Sequence, residues 1–268
     1  MSTYTTPFAT QPARPMSARV SLSISRGRRT SSVCRSMLTT VTSPPGARPD
    51  QPARRGRGAA GMNRGGGRVA CVMTVSSVPP PSDPSSDIEF FWDPVCPFAW
   101  ITSRWVAEVA SQRDFSVDWR FISLRLINKD TDYATEFPPE YEHGHTAGLR
   151  MLRVAAAIRD ELGRDPLGRV VAAYGHSYWD RPEGSGMHAH LSTPEHVVEV
   201  LRNAGVDPAY AEHLDNTDWD TLIDAEGEMA LDRTGRDVGT PIITYDPPDG
   251  LSFFGPVISR VPSPDEAV

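Results

Sequence analysis

The chain has 268 residues, which is enough for one or two domains, and 39% of them are hydrophobic. Its net charge of −7 averages two unlike parts. Residues 1–72 hold twelve Arg, no Lys and a single acid, a formal charge of +11, which leaves −18 for the remainder. An acidic body of this kind excludes nucleic acids and anionic membranes as its main partners.

Cysteine usage indicates the redox setting. The three cysteines, Cys34, Cys71 and Cys96, are too few for a disulfide framework, and only Cys96 lies in the acidic body. We therefore predict a reducing, cytoplasmic environment. No apolar run approaches the ~20 residues that a membrane span requires, so no membrane association is predicted.

The N-terminal part of the chain is rich in Arg, Pro, Ser and Gly and has no hydrophobic periodicity. This composition predicts a disordered extension over residues 1–86. Three interpretations compete: a transit peptide, a basic interaction arm, or upstream sequence translated ahead of a true start at Met73.

The clearest functional signal is the stretch DIEFFWDPVCPFAWITSRW, residues 87–105. Ile88 to Trp92 is a short apolar and aromatic run, which predicts a buried strand. Pro97 is favoured at the first position of the following helix, so Cys96 lies at or near the N-cap. Free N–H groups there stabilise an anion, which predicts a lowered pKa and a nucleophilic thiolate. The competing interpretation is a buried cysteine that acts as a small hydrophobe.

A strand followed by Cys-Pro-x-x at a helix start resembles the redox site of the thioredoxin superfamily, and FWDPVCPFAWITSRW is similar to its DsbA-like branch. Within that branch, residues 87–258 resemble the mycothiol-dependent nitroreductase and disulfide-reductase family. Those proteins usually carry Cys-Pro-Trp-Cys, whereas this chain has Cys96-Pro97-Phe98-Ala99. The resemblance implies an α/β thioredoxin-like fold with an α-helical insertion, and mycothiol as the low-molecular-weight thiol.

The segments after the first helix continue this pattern. FSVDWRFISL alternates apolar and polar residues and predicts a second strand, parallel to the first after a right-handed crossover. Residues 124–148 carry weak turn signals and are predicted to be a loop. Five helices are predicted next, and they form the insertion at about residues 137–235 that is typical of DsbA-like proteins. They are Leu149–Leu162, one opened by Asp165-Pro166, one from Ser192, one from Asp207-Pro208, and Trp219–Arg233.

The last part of the domain is predicted to be a hairpin. Ile242 to Tyr245 and Leu251 to Phe254 form its strands, joined by a turn. The resemblance implies a cis peptide bond at Thr240-Pro241, facing Cys96 and leaving the N–H and C=O of Thr240 free for a substrate. The competing interpretation is an ordinary trans proline at the first residue of a strand.

The C-terminal residues 259–268 predict a truncated tail. Ser263-Pro264-Asp265-Glu266 is typical of a helix start, and the sequence stops at Val268. We therefore predict that the fold lacks its C-terminal helix and exposes apolar sheet surface.

Cys96 is the predicted catalytic residue. Because Ala99 stands where relatives have a second cysteine, the remaining route is a mixed disulfide on Cys96 that a second thiol resolves. The resemblance implies that Phe98 stacks on a flat substrate and that Asn128 and Tyr141 match an Asn and a Tyr that contact it. The predicted substrate-binding residues are Pro97, Phe98, Asn128, Tyr141, Thr240 and Pro241.

No cofactor other than a thiol is predicted. The pairs His143/His145 and His188/His190 are interpreted as surface loop residues, so no metal site is expected. No flavin or nicotinamide motif is present. The expected partners are a small-molecule thiol, a small-molecule or disulfide substrate, and a reductant of the mycoredoxin or thioredoxin type.

Two other functions remain open. Thiol-dependent isomerases and kappa-type glutathione transferases share the fold, but they carry a Ser where this chain has Cys96. The second alternative is a binding module, a degenerate thioredoxin-like fold that has lost catalytic turnover.

Overall fold

The computed structural model of the chain describes residues 78–180 and 190–268. The predictions that concern Cys34, Cys71, Met73 and His188 lie outside the described residues.

The described strands form one mixed four-stranded sheet in the order β2-β1-β3-β4. As predicted, β1 and β2 are parallel, with Phe90 opposite Trp119. β3 runs antiparallel to β1 and pairs with β4 as a hairpin. This α/β architecture is compatible with a thioredoxin-like fold. The strands are β1 Ile88–Trp92, β2 Val117–Phe121, β3 Ile242–Tyr245 and β4 Ser252–Phe254.

Helices surround the sheet, and α1 follows β1 directly. The α-helices are α1 Pro97–Gln112, α2 Leu124–Ile127, α3 Tyr133–Glu136, α4 Pro139–Leu162, α5 Leu167–Trp179, α6 Pro194–Ala204, α7 Asp220–Thr234 and α8 Pro264–Ala267. Two 3₁₀ helices, Pro208–Asp215 and Thr217–Trp219, lie between α6 and α7. No helix in the two described ranges is long and apolar enough to cross a bilayer.

The predicted loop over residues 124–148 is wrong, because it contains α2, α3 and the first ten residues of α4. Ser123 and Asp132 cap α2 and α3 by accepting backbone hydrogen bonds. Pro139 occupies the first turn of α4, with Glu140 and Glu142 beside it, which favours a helix start. The fourth predicted helix, from Asp207-Pro208, is a 3₁₀ helix instead of an α-helix.

The polar residues of β2 are buried as well as its apolar ones. Arg120 is fully buried and pairs with Glu89 on β1 and Glu226 on α7, each at 3.1 Å. Arg159 on α4 also pairs with Glu226, at 2.7 Å. A buried charge is tolerated only when its partners satisfy it, so this network holds α4 and α7 against the sheet.

The described residues that precede β1 lie against this network. Arg120 Nη2 donates to the Pro80 carbonyl at 2.9 Å, and Arg164 Nη2 donates to the Pro81 carbonyl at 2.6 Å. Ser82 Oγ donates to Glu89 at 2.7 Å. These contacts place residues 78–86 on the fold.

The short helix α8 packs against α1. Trp105 Nε1 donates to the Ala267 carbonyl at 3.0 Å, and a capping box between Ser263 and Glu266 begins the helix.

Candidate active site

Cys96 occupies the N-cap of α1, as the sequence predicted. Its backbone is extended (φ −91°, ψ 116°), and the Ala99 N–H donates to its Sγ at 3.4 Å. The side chain is 5% exposed. A buried strand, a tight turn and a proline at the first turn of the helix therefore bring the sulfur to the end of α1 where N–H groups are available.

Opposite Cys96 lies the start of β3. The Thr240-Pro241 peptide bond is cis, in agreement with the expectation from the sequence. The Cys96 thiol donates to the Thr240 carbonyl oxygen at 3.1 Å. The prediction that this carbonyl is free is therefore wrong, because it accepts the hydrogen bond of the Cys96 thiol.

The protonation state of Cys96 differs from the prediction. Burial, with a smaller contribution from the nearby Asp93 carboxyl, raises the pKa of the Cys96 thiol to about 12. The backbone N–H groups of Ala99 and Phe98 act in the expected direction and lower the pKa, but burial outweighs them. The expected thiolate is thus a neutral thiol in this state, which agrees with its hydrogen bond to Thr240.

Asp93 lies beneath the turn that carries Cys96 and is 1% exposed. It accepts the Val95 N–H at 2.9 Å and the Leu124 N–H at 2.7 Å. Burial raises the pKa of Asp93 to about 7 against these two hydrogen bonds, which lower it. The carboxyl thus joins the cysteine turn to the start of α2, and Gly148 of α4 packs so closely on it that a Cβ there would meet Oδ1 at 2.6 Å.

A cavity of about 510 Å³ opens beside Cys96. Six predicted site residues line it: Cys96, Pro97, Phe98, Asn128, Tyr141 and Thr240. Pro241 is not part of the lining and is buried behind Thr240. Asn128 is the C-cap of α2, and its amide donates to the Leu124 carbonyl at 2.8 Å. The structure thus collects at one cavity residues that come from three separate parts of the chain.

An aromatic wall forms one side of this cavity. Phe137 and Tyr141 stack with ring centroids 5.7 Å apart and an interplanar angle of 16°. Tyr178 and Trp179, at the end of α5, also line the cavity, and Trp179 Nε1 donates to the Pro94 carbonyl at 3.2 Å. A flat ligand in this cavity meets ring faces and edges as well as the sulfur.

Several residues that line the cavity were not predicted from the sequence. Phe137, Glu140, His145, Tyr178 and Trp179 all contribute to the cavity. His145 in particular is 8% exposed, so its interpretation as a surface loop residue is wrong. Recognising Pro139 as a helix start would have placed Tyr141 and His145 four residues apart on one helical face.

Among the residues that the structure describes, no group of three or more His, Cys, Asp and Glu side chains is arranged to hold a metal ion. The chemistry that the site offers is that of a thiol, supported by helix N–H groups and a backbone carbonyl.

These features define a class of protein. It has an α/β architecture that is compatible with a thioredoxin-like fold, and a cysteine at a helix start that faces a strand preceded by a cis proline. Residues 95–268 match the model of the Rv2466c-like family, described as mycothiol-dependent nitroreductase Rv2466c, and the chain belongs to this family. Membership supports, at the coarse level, a thiol-dependent oxidoreductase.

A curated relative is the uncharacterized protein Rv2286c of Mycobacterium tuberculosis (strain ATCC 25618 / H37Rv). It is 29% identical over 177 residues, which are 66% of this chain and 70% of that protein.

Proposed function

We propose that the protein is a mycothiol-dependent oxidoreductase that reduces nitroaromatics or disulfides through Cys96. The observation that supports this most directly is the position of the Cys96 sulfur, at the start of α1, 3.1 Å from the Thr240 carbonyl and on the wall of an aromatic cavity. Family membership supports mycothiol as the thiol and a nitro compound as one substrate class. The setting is a reducing cytoplasm, in which a mycoredoxin or thioredoxin-type protein regenerates the thiol.

The fold that carries this function is a DsbA-like thioredoxin domain over residues 87–258, with a helical insertion at about 137–235. Within it, Pro97, Phe98, Asn128, Tyr141 and Thr240 contact the substrate, and Pro241 sets the backbone of Thr240. The support is that α4 and α5 of the insertion contribute residues to the cavity lining, together with the start of α1, Thr240 and Phe254 of β4.

A single cysteine requires a route that uses external thiols. Ala99 is 2% exposed and offers no second sulfur, so Cys96 attacks a disulfide to form a mixed disulfide and release one thiol. A second thiol then displaces Cys96 and forms the new external disulfide. With a nitroaromatic acceptor, two mycothiol molecules are oxidised to their disulfide, the nitro group becomes a nitroso group, and one oxygen leaves as water.

The raised pKa of Cys96 bears on this mechanism, because the attacking species is the thiolate. A bound substrate must therefore displace the Cys96 thiol from the Thr240 carbonyl. The N–H groups of Phe98 and Ala99 then remain to stabilise the Cys96 thiolate. The buried neutral thiol also favours a second candidate, a thioredoxin-like binding module without turnover.

The two candidates differ in covalent chemistry. We would incubate the protein with oxidised mycothiol, look for the mixed disulfide by mass spectrometry, and then assay mycothiol-dependent reduction of a nitroaromatic. The oxidoreductase forms the adduct and turns over, and Cys96→Ser loses both. A protein that binds the nitroaromatic but shows neither the adduct nor turnover is the binding module.

A further inference from the structure

His145 is a cavity residue that the proposed function does not yet use. It lies in the second turn of α4 and is buried, whereas His143 on the same helix is exposed. It lines the same cavity as Cys96. Its ring meets Phe137 and Tyr141 edge-on, at interplanar angles of 76° and 65°, so its orientation is fixed by packing.

One ring nitrogen of His145 already has a partner. Nδ1 lies 3.0 Å from the hydroxyl of Tyr133, and that hydroxyl lies 3.5 Å from the Leu124 carbonyl. The phenol has one proton to donate, and 3.5 Å exceeds the usual O–H···O hydrogen-bond range, so Nδ1 is its nearer acceptor. We therefore place that proton toward Nδ1, which leaves the ring proton on Nε2.

The imidazole is also neutral at physiological pH. Burial, with a smaller contribution from the guanidinium of Arg125, lowers the pKa of His145 to about 4. Arg125 lies over the ring of Tyr133, with its central carbon 4.7 Å from the ring centroid. His145 therefore offers the cavity an uncharged N–H donor.

Two other polar side chains of the lining are less suited to this role. One N–H of the Asn128 amide already donates to the Leu124 carbonyl, and Glu140 carries a carboxylate that accepts only. An oxygen acceptor on a flat ligand thus meets a donor at His145, while the ring of that ligand contacts Phe137 and Tyr141.

We propose that His145 is a specificity-determining residue, whose Nε2–H binds an uncharged oxygen of a flat aromatic acceptor, such as a nitro group or a quinone carbonyl. The inference rests on the proposed function for the identity of the reaction, but it concerns binding and can be tested without turnover. It predicts that aromatic compounds lacking such an oxygen bind without help from His145.

The test is a pair of ligands that differ only in the nitro group, 4-nitrotoluene and toluene. Their affinities are measured by calorimetry on the Cys96→Ser protein, with and without His145→Phe, which retains a ring but no N–H. We expect His145→Phe to weaken binding of the nitro compound about tenfold, the scale of one hydrogen bond, and to leave toluene unchanged. His145→Gln, which keeps a donor, should restore part of the loss.

Two results would overturn the proposal. One is that His145→Phe weakens binding of both ligands equally, or of neither, because the nitro oxygen then makes no difference to the contribution of His145. The other is an NMR assignment of the ring proton to Nδ1 in the ligand-free protein. Absence of mycothiol-dependent turnover in the wild type, with this binding difference intact, would instead count against the proposed reaction alone.

Discussion

The Sγ of Cys96 and the carbonyl oxygen of Thr240 lie 3.1 Å apart, although 144 positions separate the two residues in the chain. This hydrogen bond joins the start of α1 to the start of β3, and it requires the protonated form of Cys96, because only the thiol can donate. The reactivity of the site thus depends on a contact across the sheet as well as on the helix that begins at the cysteine.

Alkylation of Cys96 tests the first consequence. With the pKa raised to about 12, the thiol is protonated at neutral pH, and the thiolate fraction grows only as the pH rises toward that value. We expect iodoacetamide to modify Cys96 at pH 7.5 at least a hundredfold more slowly in the folded protein than in urea, measured by mass spectrometry of the Cys96 peptide. Equal rates in the two states would show that burial does not suppress ionisation.

Asp93 should make the stability of the protein depend on pH. Its pKa is about 7 in the folded state against an ordinary 3.8, so its stabilising contribution is complete below pH 4 and is lost as the pH rises to 7. As the pH rises across this window, the free energy of unfolding of the wild type should fall relative to that of Asp93→Asn, by on the order of 4 kcal/mol. Urea denaturation from pH 4 to 8 measures it, and a constant difference would contradict it.

Gly148 is expected to be sensitive to substitution. A Cβ there would lie 2.6 Å from Asp93 Oδ1 and 2.9 Å from Val95 Cγ2, beneath the cysteine turn. Gly148→Ala should lower the free energy of unfolding by about 1–3 kcal/mol through overpacking.

Gly144 is the matched control on the same helix, since a Cβ there meets nothing within 4 Å. Gly144→Ala should raise the free energy of unfolding by about 0.5–1 kcal/mol. Indistinguishable effects of the two substitutions would refute the close approach of α4 to Asp93.

Restoring a second cysteine tests the geometry of the helix start. Ala99 is buried and its N–H lies 3.4 Å from the Cys96 sulfur. In a Cys34→Ser, Cys71→Ser background, Ala99→Cys should form a disulfide with Cys96 on mild oxidation, measured as loss of two titratable thiols. Phe98→Cys is the control. Phe98 is 42% exposed, and it lies two positions after Cys96, a spacing at which side chains on a helix do not face each other. Two persistent thiols in Ala99→Cys would exclude this arrangement.

The charge of the cavity should select among acceptors. Glu140 is the one charged side chain in the described lining, and it is exposed. Glu140→Gln should raise kcat/KM for anionic 4-nitrobenzoate relative to neutral 4-nitrobenzyl alcohol by about two- to fivefold at low salt. The gain should vanish at about 1 M salt, where charges are screened. Glu136→Gln, which lies outside the lining, should leave the ratio unchanged.

Local patterns were sufficient to predict several parts of the fold. The apolar run of β1, the Cys96-Pro97 helix start and the hairpin of β3 and β4 all appear as predicted. The family was also visible from the residues around Cys96. In each case the signal lies within a few neighbouring residues, where sterics and hydrogen bonding at the backbone decide the outcome.

The short helices around the cavity were harder to predict. α2 and α3 have four residues each, too few for a hydrophobic period to show. They persist because side-chain caps at Ser123 and Asp132 and packing against α4 stabilise them.

By itself, the sequence predicted Cys96 as the candidate nucleophile and determined which backbone elements surround it, since a strand, a proline and a helix start specify that geometry locally. Only the tertiary structure decided that Cys96 is a neutral thiol bound to Thr240 and that His145 turns into the cavity instead of toward water. Both outcomes depend on burial by segments far apart in the chain, and a pKa responds to that whole environment and not to sequence neighbours alone.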